Sequence, residues 1–363
     1  MTNAGKLPLW TIVAPVVGWV LLGGTLLDWG GGAYIALLAV GLVGSVLAAV
    51  HHAEVVAHKV GEPYGTLVLA IAVTVIEVAL IVSLMLSGGA AAATLARDTV
   101  FAAVMIILTG MVGICMLVGG LRHGEQRFRL DGASGALVTL AAIAILTMVL
   151  PNYTETTPGP YYSSSQLAFI ALVTLVLYGT FVLVQTVRHR DYFLPRNADG
   201  TVDAEEHADP PTTKATWLSF VLLLVCLVGV VLLAKSLAGP MERALGKAGA
   251  PPALLGIIIA AVVLMPEGLA AARAASANRL QTSLNLALGS ALASIGLTIP
   301  TVAVLSLSSG WTLALGLDAK ATVLLLLSLF LATISFSTGR TTILQGVVHL
   351  VLFAVYLFTT IVP

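Results

Sequence analysis

The sequence predicts an all-α integral membrane protein of about eleven transmembrane helices, one extra N-terminal helix followed by two inverted five-helix repeats. Three observations carry this. Of the 363 residues 58% are hydrophobic and only 9% charged, with a mean hydropathy of +1.03, where a soluble domain carries about 25% charged residues. Apolar stretches of about 20 residues, each long enough to cross a bilayer as a helix, recur along the whole length. Two of those stretches each hold one acidic residue, Glu77 and Glu267, in matched surroundings. The ten-residue alternation of a barrel is absent. HExxH, CxxC and GxxxxGK[ST] are absent too, so no zinc, redox or nucleotide motif is present. Seventeen basic residues balance seventeen acidic ones, which gives no reason to invoke nucleic acid. Cys115 and Cys226 both fall inside apolar spans and read as small packing residues rather than a disulfide.

The elements follow in order. Lys6 precedes an apolar run from Leu7 to Leu27, which is long for a signal peptide and ends in no A-x-A-like site; it reads as the first span. Further spans are expected at 33–59, 63–88, 96–121, 132–150, 165–187, 216–237, 252–276, 280–307, 319–337 and 341–362. The hydrophilic segment from Arg188 to Thr216 separates six spans from five. Its acidic run, Asp199, Asp203, Glu205, Glu206 and Asp209, reads as a cytoplasmic connector, with cation sensing as the alternative. The organisation expected is an N-terminal helix (1–30), a first repeat (31–188), an acidic linker (189–215) and a second repeat (216–363).

Basic residues set the orientation. With the N-terminus in the cytoplasm, twelve lysines and arginines fall on the inner side and five (Arg97, Lys235, Arg243, Lys247, Lys320) on the outer side. The C-terminus is then outside. The third span runs outward and the eighth inward, so the two glutamates sit on corresponding helices of opposite direction. Inverted repeats of this kind hold their substrate near the midplane.

A carboxylate within a bilayer costs at least a few kcal/mol on insertion scales, so it needs a use. Thr66, Ala70, Val73 and Glu77 fall at i, i+4, i+7 and i+11, and Gly256, Ala260, Val263 and Glu267 repeat that spacing 190 residues later. Each acid therefore lies on a mostly small-residue helix face. Thr74 adds a hydroxyl one turn before Glu77. Pro266, directly before Glu267, has no N–H for the Val262 carbonyl, which is left available at membrane depth. Carboxylates and freed carbonyls are what a hard cation such as Ca²⁺ or Na⁺ requires. The same carboxylates hold protons when no cation is present, and proton/cation exchange follows from that competition.

Three other groups stand out. In the ninth span Ser283, Ser290, Ser294 and Thr301 fall on one face, with Asn285, Gly289 and Gly296 on a neighbouring stripe. They read either as oxygen ligands or as packing between helices. The fourth span has a comparable small-residue track through Thr99, Ala102, Ala103, Thr109, Gly110 and Gly113. His51, His52, Glu54 and His58 gather at the inner end of the second span. They read as a solvated helix end, with a metal or pH-sensing face as the alternative. Glu62 precedes Pro63 at the mouth of any inward pathway.

GEPYGTLVLAIAVTVIEVALI and MPEGLAAARAASANRLQTSLNLALGSALASIGLTIP resemble the two signature repeats of the calcium/cation exchanger superfamily. The likeness is to its proton-coupled branch, and within that to bacterial ChaA-type sodium/calcium-proton antiporters. It covers the second to eleventh spans, and is specific in the glutamate helices and NLALGSALASIGL. The resemblance implies one helix plus two inverted five-helix repeats, with Glu77 and Glu267 binding the exchanged cation and protons. Ser290 matches the serine of the Gly-Ser motif, and Glu54 and Glu62 match acidic positions leading into the first repeat. The sequence departs from calcium-selective members, which carry Gly-Asn just before each glutamate. Here those positions are Val73-Thr74 and Val263-Leu264, and Ala102-Ala103 replaces Gly-Ser in the first half. Fewer polar ligands argue against a tight Ca²⁺ cage and leave Na⁺ or K⁺ exchange open.

The function expected is secondary antiport in a bacterial inner membrane, exporting Ca²⁺ or Na⁺, or K⁺, in exchange for H⁺ by alternating access and without a cofactor. Two rivals stand beside it: a passive cation channel, and a polytopic metalloenzyme built on His51, His52, Glu54 and His58.

Overall fold

The computed structural model describes residues 7–27, 29–61, 64–88, 93–193 and 211–362. Glu62 and the acidic run from Asp199 to Asp209 lie outside the described residues, as does the side chain of Thr66. Among the described residues eleven apolar helices follow the expected order: α1 (Trp10–Leu26), α2 (Gly32–Val60), α3 (Tyr64–Gly88), α4 (Leu95–His123), α5 (Leu130–Tyr153), α6 (Ser164–Arg188), α7 (Thr213–Lys247), α8 (Ala253–Ser276), α9 (Leu280–Ser309), α10 (Ala319–Phe336) and α11 (Ile343–Ile361). All but α1 are long and apolar enough to cross a membrane.

Local chemistry sets the ends. Ser163 with Gln166 and Thr342 with Gln345 form capping boxes at the starts of α6 and α11, and Asp318 accepts the Ala321 N–H at 2.7 Å to start α10. Each satisfies backbone donors that a first helical turn leaves unpaired. Between α8 and α9 the chain reverses at Asn278, whose φ of 61° is left-handed. Asparagine tolerates that region better than any residue but glycine.

Two features differ from the sequence expectation. α7 was expected to stop near residue 237 but runs on to Lys247, 35 residues in all, with Pro240 inside it. The apolar stretch ends at Ala238, while Met-Glu-Arg-Ala-Leu are good helix formers and carry the helix beyond it. Also, α4, α5 and α6 each contain a π turn, at Ile106–Met111, Ile145–Val149 and Val184–Arg188. Each π turn holds one threonine that bonds the carbonyl four residues back: Thr109 to Met105, Thr147 to Ile143 (2.7 Å) and Thr186 to Val182 (2.6 Å).

The helices form two compact units. The first, Met1–Gly89 with Ala204–Leu255, contains α1, α2, α3 and α7. Within it α2 packs on α7, α1 and α3. Leu22, Leu38, Leu233 and Leu237 form its apolar cluster. His52 is wholly buried, with Nδ1 3.3 Å from the Ser219 hydroxyl and Nε2 3.1 Å from the Thr11 carbonyl, so it ties α2 to α7 and α1. Both cysteines are buried and free, Cys226 in this unit and Cys115 in the other.

The second unit, Ala90–Asp203 with Gly256–Pro363, contains α4, α5, α6, α9, α10, α11 and α8 from Gly256 onward. α4 is its most enclosed helix and α9 the next. α9 packs on α6, α5 and α4, and α11 lies along α4. The α4–α11 approach requires two glycines. A Cβ on Gly346 would sit 2.6 Å from the Leu117 nitrogen, and one on Gly113 would sit 2.9 Å from Leu350 Cγ. Small residues allowing close backbone approach are a general device for packing helices in lipid.

The connections of this unit gather at two opposite ends. At one end Gln126–Arg127 (β1) pairs antiparallel with Arg340–Thr341 (β2). Gln126 donates to the Ala275 carbonyl at 3.0 Å and to Asn278 Oδ1 at 2.9 Å, which joins the α8–α9 corner to that ladder. At the other end Arg97 donates to the Gly316 carbonyl at 2.8 Å, and the Leu315 N–H donates to the Pro160 carbonyl at 3.1 Å. Tyr162 just precedes α6 there and donates to the Leu146 carbonyl at 2.6 Å; burial pushes its hydroxyl up to about 12, so it stays a donor.

Candidate functional site

Glu77 and Glu267 occupy equivalent places on α3 and α8. Glu77 lies 13 residues past Tyr64 and Glu267 14 past Ala253, about 20 Å along either axis. Both are buried, Glu77 at 4% exposure and Glu267 at 8%. Hydrophobic neighbours surround them along each helix: Val73, Ile76, Leu80 and Ile81 around Glu77, and Ala260, Val263, Leu264 and Ala271 around Glu267 are all buried. Thr74 is 5% exposed, so a hydroxyl and a carboxylate lie in consecutive turns of α3 at depth. α8 continues through Pro266, which supplies no N–H to the carbonyl of Val262, a half-buried residue.

α8 reaches its depth alongside α4. A Cβ on Gly256 would lie 3.0 Å from the Asp98 carbonyl carbon and the Thr99 nitrogen, so only glycine permits that crossing. The small-residue track of α4 is buried throughout at Thr99, Ala102, Ala103, Thr109, Gly110 and Gly113. In α9, Ser294 is 3% exposed and Ser290 half-buried. Asn285 donates its amide to the Phe193 carbonyl and accepts from Gln281 Nε2 at 2.9 Å, so the structure engages it at the end of α9 near the α5–α6 side. Gly296 lies against Tyr178 of α6, where a Cβ would come within 2.8 Å of the ring.

The buried polar track of α9 departs from the expected face at its far end. Thr301 is exposed and its hydroxyl bonds the Leu297 carbonyl at 2.7 Å. Thr298, not Thr301, continues the buried track, and its hydroxyl has no hydrogen-bond partner among the described residues. An ideal 3.6-residue period was carried over 18 residues, and Pro300 lies inside that stretch.

The histidine group at the C-terminal end of α2 does not assemble into one site. His52 turns into the first unit as described, whereas Glu54 and His58 are exposed. His51 reaches Glu54 only at 4.0 Å and lies tilted against Trp10. Among the described residues no three His, Cys, Asp or Glu side chains come together as a metal cluster.

Sequence reasoning missed His349. It is wholly buried on α11, with Nδ1 2.7 Å from the Leu108 carbonyl and Nε2 3.1 Å from the Ser335 hydroxyl. Leu108 belongs to the π turn of α4, where the helical ladder is interrupted. A lone histidine in an apolar final span was the available signal. Its carbonyl partner was not readable.

The sodium/calcium exchanger family matches in two stretches, residues 31–187 and 218–362, which together cover most of the sequence. The chain belongs to the sodium/calcium exchanger family. The chain is 48% identical over 368 residues to a putative ionic transporter, y4hA, of Sinorhizobium fredii, covering 99% of this chain and 98% of that protein. It is 39% identical over 326 residues to the sodium-potassium/proton antiporter ChaA of Escherichia coli, covering 90% and 88%. It superimposes on the solved structure of native YfkE with a TM-score of 0.75 at 17% identity, over 98% of this chain and all of that one. It also superimposes on an H⁺/Ca²⁺ exchanger, CAX, with a TM-score of 0.72 at 15% identity, over 96% and 87%. Those structural matches speak to the fold. Family membership makes the chain a multi-span ion transporter and not an enzyme.

Proposed function

We propose that this exchanger moves a cytoplasmic cation outward against protons moving inward, with Glu77 and Glu267 as the groups that carry them. The observation that bears most weight is the pair of buried carboxylates, one at the same depth along each of two corresponding helices. A charge held there costs a few kcal/mol on insertion scales, and relief comes from a proton or from a cation. The two occupants exclude each other, so cation release on one side needs proton uptake there. Alternating exposure of the carboxylates then couples the two gradients. The relatives' names agree: the Escherichia coli protein is a sodium-potassium/proton antiporter, and a Ca²⁺/H⁺ antiporter of Aphanothece halophytica is 24% identical over 280 residues.

The oxygen supply favours Na⁺ or K⁺ over Ca²⁺. Calcium takes six to eight oxygen ligands. Before Glu267 the positions three and four back are Val263 and Leu264, both apolar and buried, and before Glu77 only Thr74 offers oxygen. Ser290, Ser294 and the Val262 carbonyl complete the proposed donor set, with Glu54, His58 and Glu62 at the approach. The ions are cargo, and no resident cofactor is needed for this exchange.

The proposed setting is a bacterial inner membrane, with the N-terminus cytoplasmic and the C-terminus outside. The end of the second unit that gathers the α4–α5, α8–α9 and α10–α11 connections carries Arg122, Arg127, Arg129, Arg273, Arg279 and Arg340. The opposite end carries Arg97 and Lys320. That asymmetry supports the arginine-rich end as the cytoplasmic one.

The test uses inside-out vesicles from cells making the protein, acidified inside by respiration and read by a fluorescent ΔpH probe. NaCl or KCl is expected to dissipate the gradient and CaCl₂ to do so less. Cation flux with no opposing proton movement would replace antiport by a passive channel. No response to any of the three salts would refute the reading.

A further inference from the structure

At the arginine-rich end of the second unit a cavity of about 600 Å³ opens between α4 and α8, lined by Arg122, Leu269, Ala272, Arg273, Ser276 and Ala277. We propose that it binds the phosphate of an anionic phospholipid headgroup, held between the Arg122 and Arg273 guanidinium groups.

The argument begins with charge. Three of the six arginines named at this end, Arg127, Arg129 and Arg340, are neutralised within the protein. Arg127 and Arg340 both face Glu125, at 3.7 and 3.5 Å, and Arg129 pairs with Asp131 at 3.0 Å and Asp191 at 3.6 Å. Arg122 and Arg273 have no ion pair among the described residues, and these two line the cavity. Two planar guanidiniums without carboxylates make a site for a phosphate, which guanidinium binds in bidentate fashion. Basic pockets between transmembrane helices near the cytoplasmic surface hold anionic lipid headgroups.

The remaining walls fit a lipid better than a free ion. Leu269 and Ala272 give an apolar side toward the span, and Leu269 is 48% exposed, so the cavity is open to the acyl region. The side-chain hydroxyl and the carbonyl of Ser276 in the lining are already engaged. The Ser276 hydroxyl bonds the Ala272 carbonyl at 2.8 Å, and the Ser276 carbonyl lies 3.0 Å from His123 Nε2. The arginines are therefore the groups left to meet a ligand.

The site is separate from the transport carboxylate. Leu269, Ala272, Arg273 and Ser276 fall at i, i+3, i+4 and i+7, one face of the end of α8. Glu267 is two residues before Leu269, on the other side of the helix. A headgroup bound here clamps the ends of α4 and α8 without touching the carboxylate.

The test is a native mass-spectrometry titration of the detergent-solubilised full chain with phosphatidylglycerol, phosphatidylcholine or inorganic phosphate. Phosphatidylglycerol is expected to bind tightest. R122Q or R273Q is expected to weaken it roughly fivefold each and the double substitution about 25-fold, taking about 1 kcal/mol for each arginine. The R122K/R273K variant keeps the charge but loses the bidentate fork, and is expected to bind more tightly than R122Q/R273Q and more weakly than wild type, which separates loss of the site from loss of fold. Equal phosphatidylglycerol binding by wild type and R122Q/R273Q would overturn the proposal. So would inorganic phosphate binding as tightly as the lipid, which would make the site one for a free anion.

Discussion

Replacing Gly346 by alanine tests whether the α4–α11 contact is as close as the structure has it. The new Cβ would lie 2.6 Å from the Leu117 nitrogen and 3.0 Å from the Gly113 carbonyl oxygen, both backbone atoms that cannot swing aside. Restoring ordinary contact at 3.4 Å moves α11 away by roughly 0.8 Å. The His349–Leu108 bond, now 2.7 Å, would open to about 3.5 Å, beyond hydrogen-bond reach. Overpacking costs about 1–3 kcal/mol and a lost buried bond about 1 more, so G346A is expected to destabilise by about 2–4 kcal/mol. Gly135 of α5 is the control: its Cβ would meet nothing within 4 Å. G135A is expected to be neutral or stabilising by about 0.5–1 kcal/mol, because alanine is the better helix former. The assay is equilibrium unfolding in bicelles by added SDS, followed by circular dichroism. If G346A proves as stable as wild type while G135A behaves as expected, the close approach of α4 and α11 is wrong.

Three further outcomes are expected. E77Q and E267Q should each lower exchange in the vesicle assay by about 10- to 100-fold, the size of a charged ligand's contribution, while the protein still inserts and purifies; full exchange by both would remove the site assignment. T74V should weaken apparent cation affinity by roughly 2- to 10-fold with little change in maximal rate, since it removes one neutral oxygen; an unchanged affinity would take Thr74 out of the donor set. H349A and S335A should show a coupling of about 0.6–1.7 kcal/mol in a double-mutant cycle of unfolding, as buried polar pairs in membrane helices do; strict additivity would mean that the 3.1 Å contact carries no energy.

The spans were legible because a membrane helix declares itself by length and apolarity alone. Ten of the eleven expected spans agree with the helices to within a few residues, and the seventh fell short because its last turns are polar but still good helix formers. The burial of Glu77 and Glu267 was legible for the same reason: a carboxylate inside an apolar run has nowhere else to be. The π turns were not, since shifting from i−4 to i−5 bonding depends on what packs against α4, α5 and α6. Nor was the two-residue ladder between Gln126–Arg127 and Arg340–Thr341, which is too short to leave a periodic trace. Thr298 was passed over for Thr301 because an ideal helix was assumed across Pro300. Asn285 reads as a possible ligand on residue type, whereas its amide nitrogen donates to the Phe193 carbonyl and its amide oxygen accepts from Gln281.

The overrun of α7 has a practical use. Its 35 residues span about 52 Å, while a hydrocarbon core takes about 30 Å. The nine residues from Gly239 to Lys247 add about 13 Å beyond the apolar stretch and carry Glu242, Arg243 and Lys247, all exposed. The protein's two cysteines are buried, so a thiol introduced at Lys247 would be the one that an impermeant reagent meets. The helix thus carries its own mounting point for a spin label or fluorophore at an exposed end. A label there turns a small tilt of α7 into a larger sideways travel, and its reaction from one face of the membrane alone reads out which side that end faces.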